Sequence, residues 1–148
     1  MALDLTKIKT LPFPETQYYK EEHPKSQVVL HHTASGRGVD GDYKTWLNDT
    51  VRIATCVIID ADGTINQCFS SAYWGYHLGL KTETFKKLGI PYKTLDKTTI
   101  GIEIDAWGAL TKKADGHWYS YTGKLVPKEN VEEYPNGFKG FYGYEKYT

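Results

Sequence analysis

The sequence predicts a single α/β domain, because it combines three strand patterns with a short segment of helical spacing at residues 43–47. Residues 27–33 form a nearly apolar, β-branched run that is typical of a strand covered on both faces. Residues 54–59 and 64–69 flank an Asp-Ala-Asp-Gly turn, as in a β-hairpin, and residues 98–105 form a further buried strand. The chain has 148 residues, 40% of them hydrophobic, so it can bury one core but not two.

The sequence also predicts the place of the first strand in the sheet and the structure of the segment that follows it. The run at 27–33 is expected to be a central strand of its sheet and not an edge. Tyr43, Trp46 and Leu47 then recur at helical spacing. We expect a short amphipathic helix here, with Asp40 or Asp42 as its N-cap.

The hairpin predicts the state of the two cysteines. If Ile59 lies opposite Thr64 across the turn, Cys56 lies opposite Gln67. Cys68 then points to the other face of the sheet, because successive side chains alternate. Both cysteines are therefore expected to be free thiols, and two are too few to make a zinc cluster.

The remaining segments are expected to lie around this core. Residues 1–25 contain three prolines and no regular period, which indicates an extended arm laid over a domain formed by 26–148. Residues 108–112 and 117–121 predict a peripheral hairpin joined through Ala-Asp-Gly. From Gly123 onward, the Lys-, Glu-, Tyr- and Gly-rich sequence predicts loop.

Charge and hydropathy exclude several classes of partner. The chain carries 18 basic and 18 acidic residues, so no global field would hold it on nucleic acid or on an anionic membrane. The first seven residues lack the features of a secretory signal, and no segment approaches the roughly 20 apolar residues of a membrane span. We expect a protein made in the cytoplasm without a signal peptide and without membrane insertion.

Three places carry residues suited to chemistry. His31 and His32 end the first strand, and only one of them can face a given cleft, although an isolated buried pair is more often made of hydrogen-bonded core residues. Glu103 lies among apolar neighbours, where burial raises the pKa of a carboxyl group and suits it to proton transfer. A salt-bridged strand residue would look the same. Residues 74–79 place His77 among glycines and aromatic residues, as in a pocket loop or a simple turn.

Four sequence words in one order resemble the amidase_2 family. These are zinc-dependent N-acetylmuramoyl-L-alanine amidases that share a fold with peptidoglycan recognition proteins and phage amidase lysozymes. The resemblance covers residues 12–148, and the His-His-Thr-Ala and Ile-Gly-Ile-Glu words are its most distinctive parts. Residues 11–19 resemble the lead-in arm of phage and prophage endolysins. The four words are residues 28–35, 57–65, 74–79 and 99–104.

The resemblance implies a fold and a role for each matching residue. The fold is a central mixed β-sheet flanked by helices. His31 matches a zinc ligand, and Glu103 matches an acidic residue that acts on the zinc-bound water. Thr55 stands where many members carry a tyrosine that stabilises the oxyanion, so Glu103 is expected to carry more of the catalysis. The implied substrate-binding residues are His77, Trp74, Tyr76, Thr55 and His32.

The implied reaction is zinc-assisted hydrolysis of the amide between N-acetylmuramic acid and L-alanine in the bacterial cell wall. A catalytic zinc needs three protein ligands. The resemblance implies that the other two zinc ligands are a histidine and then a cysteine or aspartate. Both would follow a long helix that would begin near the end of this sequence. After Glu103, this sequence contains one histidine, His117. The domain is therefore expected to be C-terminally incomplete, as a fragment, as one of two polypeptides, or as a degenerate binding domain.

An incomplete domain has consequences for partners. The uncovered sheet face would expose apolar surface, so we expect a complementary C-terminal polypeptide or self-association. Residues 81–97 are expected to be a groove-side insertion that sets specificity. Besides the amidase, a peptidoglycan- or muropeptide-binding module without metal and a structural subunit of a phage particle remain open.

Overall fold

The computed structural model describes residue 6 and residues 8–147, and its centre is a five-stranded mixed sheet. The strands are β1 (Ile8–Thr10), β2 (Gln27–His32), β3 (Val57–Ile59), β4 (Ile65–Gln67) and β5 (Thr99–Ile104). Their order is β1-β4-β3-β5-β2, with β3 and β4 antiparallel and the other neighbours parallel. The mixed α/β class is thus confirmed. The expectations for residues 1–5, 7 and 148 lie outside the described residues.

Three short helices accompany this sheet: α1 (Val39–Leu47), α2 (Thr82–Leu88) and α3 (Thr94–Thr98). The N-cap prediction for α1 was wrong, because Gly38 caps the helix without a side-chain hydrogen bond. Asp40 and Asp42 lie in the first turn instead, where a carboxylate is favoured by the helix dipole.

The strand β2 is not central. Within the described part of the chain it lies at the edge of the sheet, paired with β5 alone. Val28 is 57% exposed and Leu30 is 64% exposed, so the face that carries them has no cover. The prediction was wrong because an apolar run shows what a strand can bury and does not show which neighbours it has.

The hairpin forms one residue out of the predicted register. Ile59 pairs with Ile65, and the Asp60 amide donates to the Thr64 carbonyl at 2.9 Å, so the turn is longer than expected. The Cys68 amide donates to the Cys56 carbonyl at 2.8 Å. The two cysteines therefore lie opposite each other and not on separate faces. Both are buried free thiols, as predicted, but the reason given for it was wrong.

A second, antiparallel sheet contains the predicted peripheral hairpin, and its three later strands replace the loop expected after Gly123. Its strands are β6 (Ala109–Lys112), β7 (Trp118–Tyr119), β8 (Leu125–Val126), β9 (Val131–Phe138) and β10 (Phe141–Glu145), in the order β8-β7-β6-β10-β9. The predicted peripheral hairpin is confirmed as β6 and β7. Lys139 and Gly140 both have positive φ, which fits a tight turn between β9 and β10.

The N-terminal segment contributes to the core and to the sheet. The strand β1 adds to the sheet edge beside β4. The Phe13 ring stacks on Tyr43 of α1 with centroids 4.8 Å apart, and Tyr18 stacks on Phe69 at 4.7 Å. These contacts anchor the segment, while the division at residue 25 stays a prediction.

One buried carboxylate joins the two sheets. Glu145 of β10 accepts hydrogen bonds from Arg37 Nε at 2.9 Å and from the Trp107 amide at 2.6 Å. Because Arg37 follows β2 and Trp107 follows β5, the second sheet is attached at the end of the first where the predicted site residues lie.

Across the described residues, none of the helices has the length and apolarity needed to cross a membrane.

Candidate active site

His31 and Glu103 lie beside each other on neighbouring strands. The two residues are register partners in the parallel pair β2 and β5, so their side chains share one face of the sheet. Both border a cavity of about 680 Å³. The other residues around it are Leu30, His32, Thr33, Ala34, Ser35, Asp42, Thr45, Trp46, Ile53, His77 and Tyr121.

Glu103 has the properties of a proton-transfer group. Its side chain is buried, and burial raises its pKa to about 7, with the nearby charge of Asp42 as a smaller cause. At neutral pH, both the acid and the carboxylate are then populated. A carboxyl group in this state can accept a proton and return it within one reaction cycle.

His31 and His77 form a hydrogen-bonded pair. His31 Nε2 lies 3.0 Å from His77 Nδ1, and His77 Nε2 lies 2.9 Å from the Thr99 hydroxyl. The single proton of that hydroxyl goes to the Leu95 carbonyl at 2.7 Å, so Thr99 accepts from His77. Neutral His77 therefore has a bare Nδ1, which accepts a hydrogen bond from His31 Nε2.

Burial keeps both imidazoles neutral. Desolvation lowers the pKa of His77 to about 4, opposed by the carboxylate of Asp96. Desolvation also lowers the pKa of His31, and His32 adds to this effect. At neutral pH the pair thus carries no charge, and Nδ1 of His31 is left as an acceptor for a substrate N–H or for water.

Asp42 is a site residue that the sequence did not identify as one. It is buried, and its Oδ1 accepts a hydrogen bond from the Ser35 hydroxyl at 2.6 Å. Its Oδ2 is buried without a hydrogen-bond partner among the described residues. Desolvation raises its pKa. Asp42, Thr45 and Trp46 lie three and four residues apart, and this helical spacing could have placed them on one cavity wall.

Asp105 positions the loop of residues 33–38, which lies between β2 and α1 and forms one side of the cavity. Its carboxylate accepts hydrogen bonds from the Gly38 amide and from the Thr33 hydroxyl. Burial raises its pKa to about 6. Because this loop precedes α1, Asp105 helps to fix the start of the helix that carries Asp42.

The other predicted binding residues lie in different surroundings. Trp74 is buried against Tyr19, with ring centroids 4.0 Å apart, and does not border the cavity. Tyr76 borders a neighbouring cavity that shares His77 and Ile53 with the first. Thr55 is buried, and its hydroxyl donates to the Val57 carbonyl at 3.0 Å.

His32 borders the cavity, but its imidazole turns away from His31. Its ring packs against Gly108, where an added Cβ would lie 2.4 Å from His32 Nε2. The two neighbouring histidines therefore diverge, as the alternation of side chains along a strand requires. Only His31 of the pair makes a contact with His77.

The described residues do not fit a catalytic zinc ion. Within residue 6 and residues 8–147, no three His, Cys, Asp or Glu side chains are arranged to hold a metal. His117 lies beside β7 in the second sheet, and both cysteines are buried in the first. His31 is thus without the two companion ligands that a catalytic zinc requires.

Comparisons with known proteins give two matches, both to solved structures. No protein-family model matches the sequence, and no curated protein matches it. The matching structures are the Staphylococcus aureus hydrolase AmiA in complex with its ligand and a selenomethionine derivative of AmpD.

Both similarities are distant. The AmiA match has 16% identity and a TM-score of 0.45 and covers 66% of this chain and 43% of AmiA. The AmpD match has 18% identity and a TM-score of 0.45 and covers 71% of this chain and 66% of AmpD. The chain thus spans less than two thirds of the length of either.

Proposed function

We propose that the cavity around His31 and Glu103 is the catalytic centre of an amide hydrolase that cleaves the N-acetylmuramoyl-L-alanine bond of peptidoglycan. The observation that carries the proposal is the pairing of these two residues in register on adjacent strands, facing one cavity. The resemblance of the His-His-Thr-Ala and Ile-Gly-Ile-Glu words supplies the substrate.

Glu103 acts as the proton carrier in this proposal. As a carboxylate, it takes a proton from the water that attacks the carbonyl carbon of the amide. As an acid, it returns that proton to the nitrogen when the C–N bond breaks. The products are the lactyl carboxylate of N-acetylmuramic acid and a peptide with a free L-alanine amino group.

The neighbouring side chains bind and orient the substrate. His31 offers Nδ1 to the cavity because its Nε2 is engaged by His77. Thr55 has its hydroxyl occupied and lies outside the cavity lining, so it is not placed to stabilise an oxyanion. This supports a larger share of the catalysis for Glu103. Trp74 supports Tyr76 through an edge-to-face contact at 5.6 Å and acts on binding indirectly.

Zinc dependence, which the resemblance implies, needs two ligands from outside the described residues. They would come from a second polypeptide or from another part of the protein. The proposed setting is the bacterial cell wall, and the arm at residues 11–19 supports an enzyme of the phage or prophage endolysin type.

A muropeptide-binding module is the second candidate. It is favoured by one observation, namely that the described residues contain no three-ligand metal group. In that case the same cavity would hold the substrate without cleaving it.

Metal analysis combined with two functional assays separates these candidates. The purified protein is incubated with zinc and assayed for bound metal, for clearing of a cell-wall suspension and for binding of a soluble muropeptide. Bound zinc with clearing supports the amidase. Muropeptide binding without zinc or clearing supports the binding module. Failure of all three overturns both and leaves a structural role.

A further inference from the structure

The second sheet carries a groove lined by aromatic rings, which we call the aromatic groove. It has a volume of about 670 Å³ and lies against the hairpin of β9 and β10. Its aromatic lining is Tyr134, Phe138, Phe141, Tyr144 and Tyr147. The proposed hydrolysis assigns no role to these residues.

The rings form a platform that remains open to solvent. Tyr144 lies at its centre, with its ring edge-on to Tyr134 at 5.6 Å and to Phe138 at 5.8 Å. Its hydroxyl donates to the Phe138 carbonyl at 2.8 Å and holds the end of the hairpin. The four surrounding rings stay between 41% and 56% exposed.

The polar lining of the aromatic groove carries charged groups of both signs. Two carboxylates, Glu132 and Glu145, and two ammonium groups, Lys139 and Lys146, border the groove. Glu145 is already paired with Arg37. Glu132, Lys139 and Lys146 then remain, and they offer both donors and acceptors to a neutral ligand that is rich in hydroxyl groups.

The aromatic groove adjoins the candidate active site. His32 borders both the groove and the cavity of His31 and Glu103. A ligand that occupied both would pass across the end of β2. A chain molecule with a neutral, ring-containing part next to the scissile amide fits that path.

We propose that the aromatic groove binds the pyranose rings of a glycan strand, beside the cavity in which the adjoining amide is cleaved. The inference rests on the proposed function for the identity of the glycan. Apolar faces of sugar rings pack against aromatic side chains, and the charged side chains that line the groove can hydrogen-bond to the hydroxyl groups of the sugar. Tyr134 and Tyr147 are then the main contact residues, because both rings are exposed and end in a hydroxyl.

Binding of a sugar without a peptide tests this inference separately from hydrolysis. The probe is the tetramer of N-acetylglucosamine, titrated into the whole chain and followed by NMR up to millimolar concentration. Tyr134→Ala and Tyr147→Ala are each expected to weaken binding about tenfold or more. Tyr147 follows the last strand, so its replacement should leave the fold intact even if that of Tyr134 does not.

Two control variants show whether the effect belongs to the groove. Tyr142→Ala removes an exposed tyrosine from the same hairpin that borders a different cavity, and it should bind the tetramer normally. Glu103→Gln should also bind normally while losing hydrolysis. Normal tetramer binding by an unmodified chain that never cleaves the amide would overturn the proposed function alone.

Several outcomes would overturn the inference itself. One is an unmodified chain that does not bind the tetramer. Another is an equal loss of binding in Tyr142→Ala, which would indicate nonspecific contact with aromatic rings. A third is concentration-dependent self-association that Tyr147→Ala abolishes, because the groove would then be covered by a second copy of the chain.

Discussion

Gly101 of β5 lies directly against the imidazole of His77, and no larger residue fits between them. A Cβ at position 101 would lie 2.9 Å from His77 Cγ and Nδ1 and 2.9 Å from Thr55 Cγ2. Atoms at such a distance must move apart. The glycine of the Ile-Gly-Ile-Glu word therefore allows His77 to reach His31.

Replacing this glycine tests the contact directly. Gly101→Ala is expected to displace His77, to break its hydrogen bond with His31, and to lower the free energy of unfolding by about 1–3 kcal/mol. Urea denaturation measures the loss of stability. The ring nitrogen chemical shifts of His31 and His77 report whether their hydrogen bond persists.

Gly41→Ala is the matched control for this substitution. Gly41 lies within α1, and a Cβ there meets nothing within 4 Å. Alanine should stabilise the helix by about 0.5–1 kcal/mol. If Gly101→Ala left the histidine shifts unchanged, the close packing of Gly101 and His77 would be refuted.

The elevated pKa of Glu103 predicts how stability depends on pH. Burial raises it from 4.5 to about 7, so the folded protein holds a proton that the unfolded chain releases in this range. Glu103 should then lower the free energy of unfolding by on the order of 3 kcal/mol as pH rises from 4.5 to 7, while His77, whose pKa is lowered to about 4, acts in the opposite sense. The difference between the protein and Glu103→Gln isolates the Glu103 contribution. Equal slopes in denaturation series of both proteins would contradict this account.

Asp42 predicts a smaller change at the same carboxyl group. Its negative charge contributes to the raised pKa of Glu103, after the larger effect of burial. Asp42→Asn keeps an oxygen acceptor for Ser35 but removes the charge, so the pKa of Glu103 should decrease. A carbon-13 NMR titration of the Glu103 carboxyl measures it. Ser26→Ala, at an exposed position before β2, should leave the value unchanged.

The two cysteines should be unreactive in the folded protein. Burial raises the pKa of the Cys56 thiol to about 11 and that of Cys68 to about 12, so few thiolates exist at neutral pH. We expect iodoacetamide to modify both slowly at pH 8 under native conditions and rapidly in denaturant. Mass spectrometry counts the modified sites. Rapid labelling of the native protein would show that the hairpin opens.

Much of the first sheet could be predicted from the sequence because its signals are local. The strand with Glu103 has an apolar run with clear ends, and Gly63 marks the hairpin turn with a φ of 83°. The exact register could not be predicted, because one extra residue in the turn changes which residues face each other. For the same reason the pairing of Cys56 with Cys68 was missed.

The strands β8, β9 and β10 were missed because few of their apolar side chains are buried, with Val126 and Val131 as the two that reach the core of the second sheet. Most of β9 is exposed, and its two glutamates and its tyrosine resemble those of a loop. The edge position of β2 was missed because neighbours in a sheet come from distant parts of the chain. The residues of the cavity differ in how far the sequence reveals them. His31 and Glu103 follow from short sequence words, whereas Asp42 reaches the cavity through the packing of α1, and its spacing from Thr45 and Trp46 is its one signal in the sequence.

Cleavage of a defined muropeptide tests the central claim most directly. N-Acetylmuramoyl-L-alanyl-D-isoglutamine is incubated with the protein and with Glu103→Gln, each supplied with zinc, and the products are identified by mass spectrometry. We predict free N-acetylmuramic acid and L-alanyl-D-isoglutamine, formed about 10²- to 10⁴-fold more slowly by the variant. Equal rates for the two proteins, or an intact amide after prolonged incubation with both, would contradict the assignment of this cavity as the hydrolytic centre.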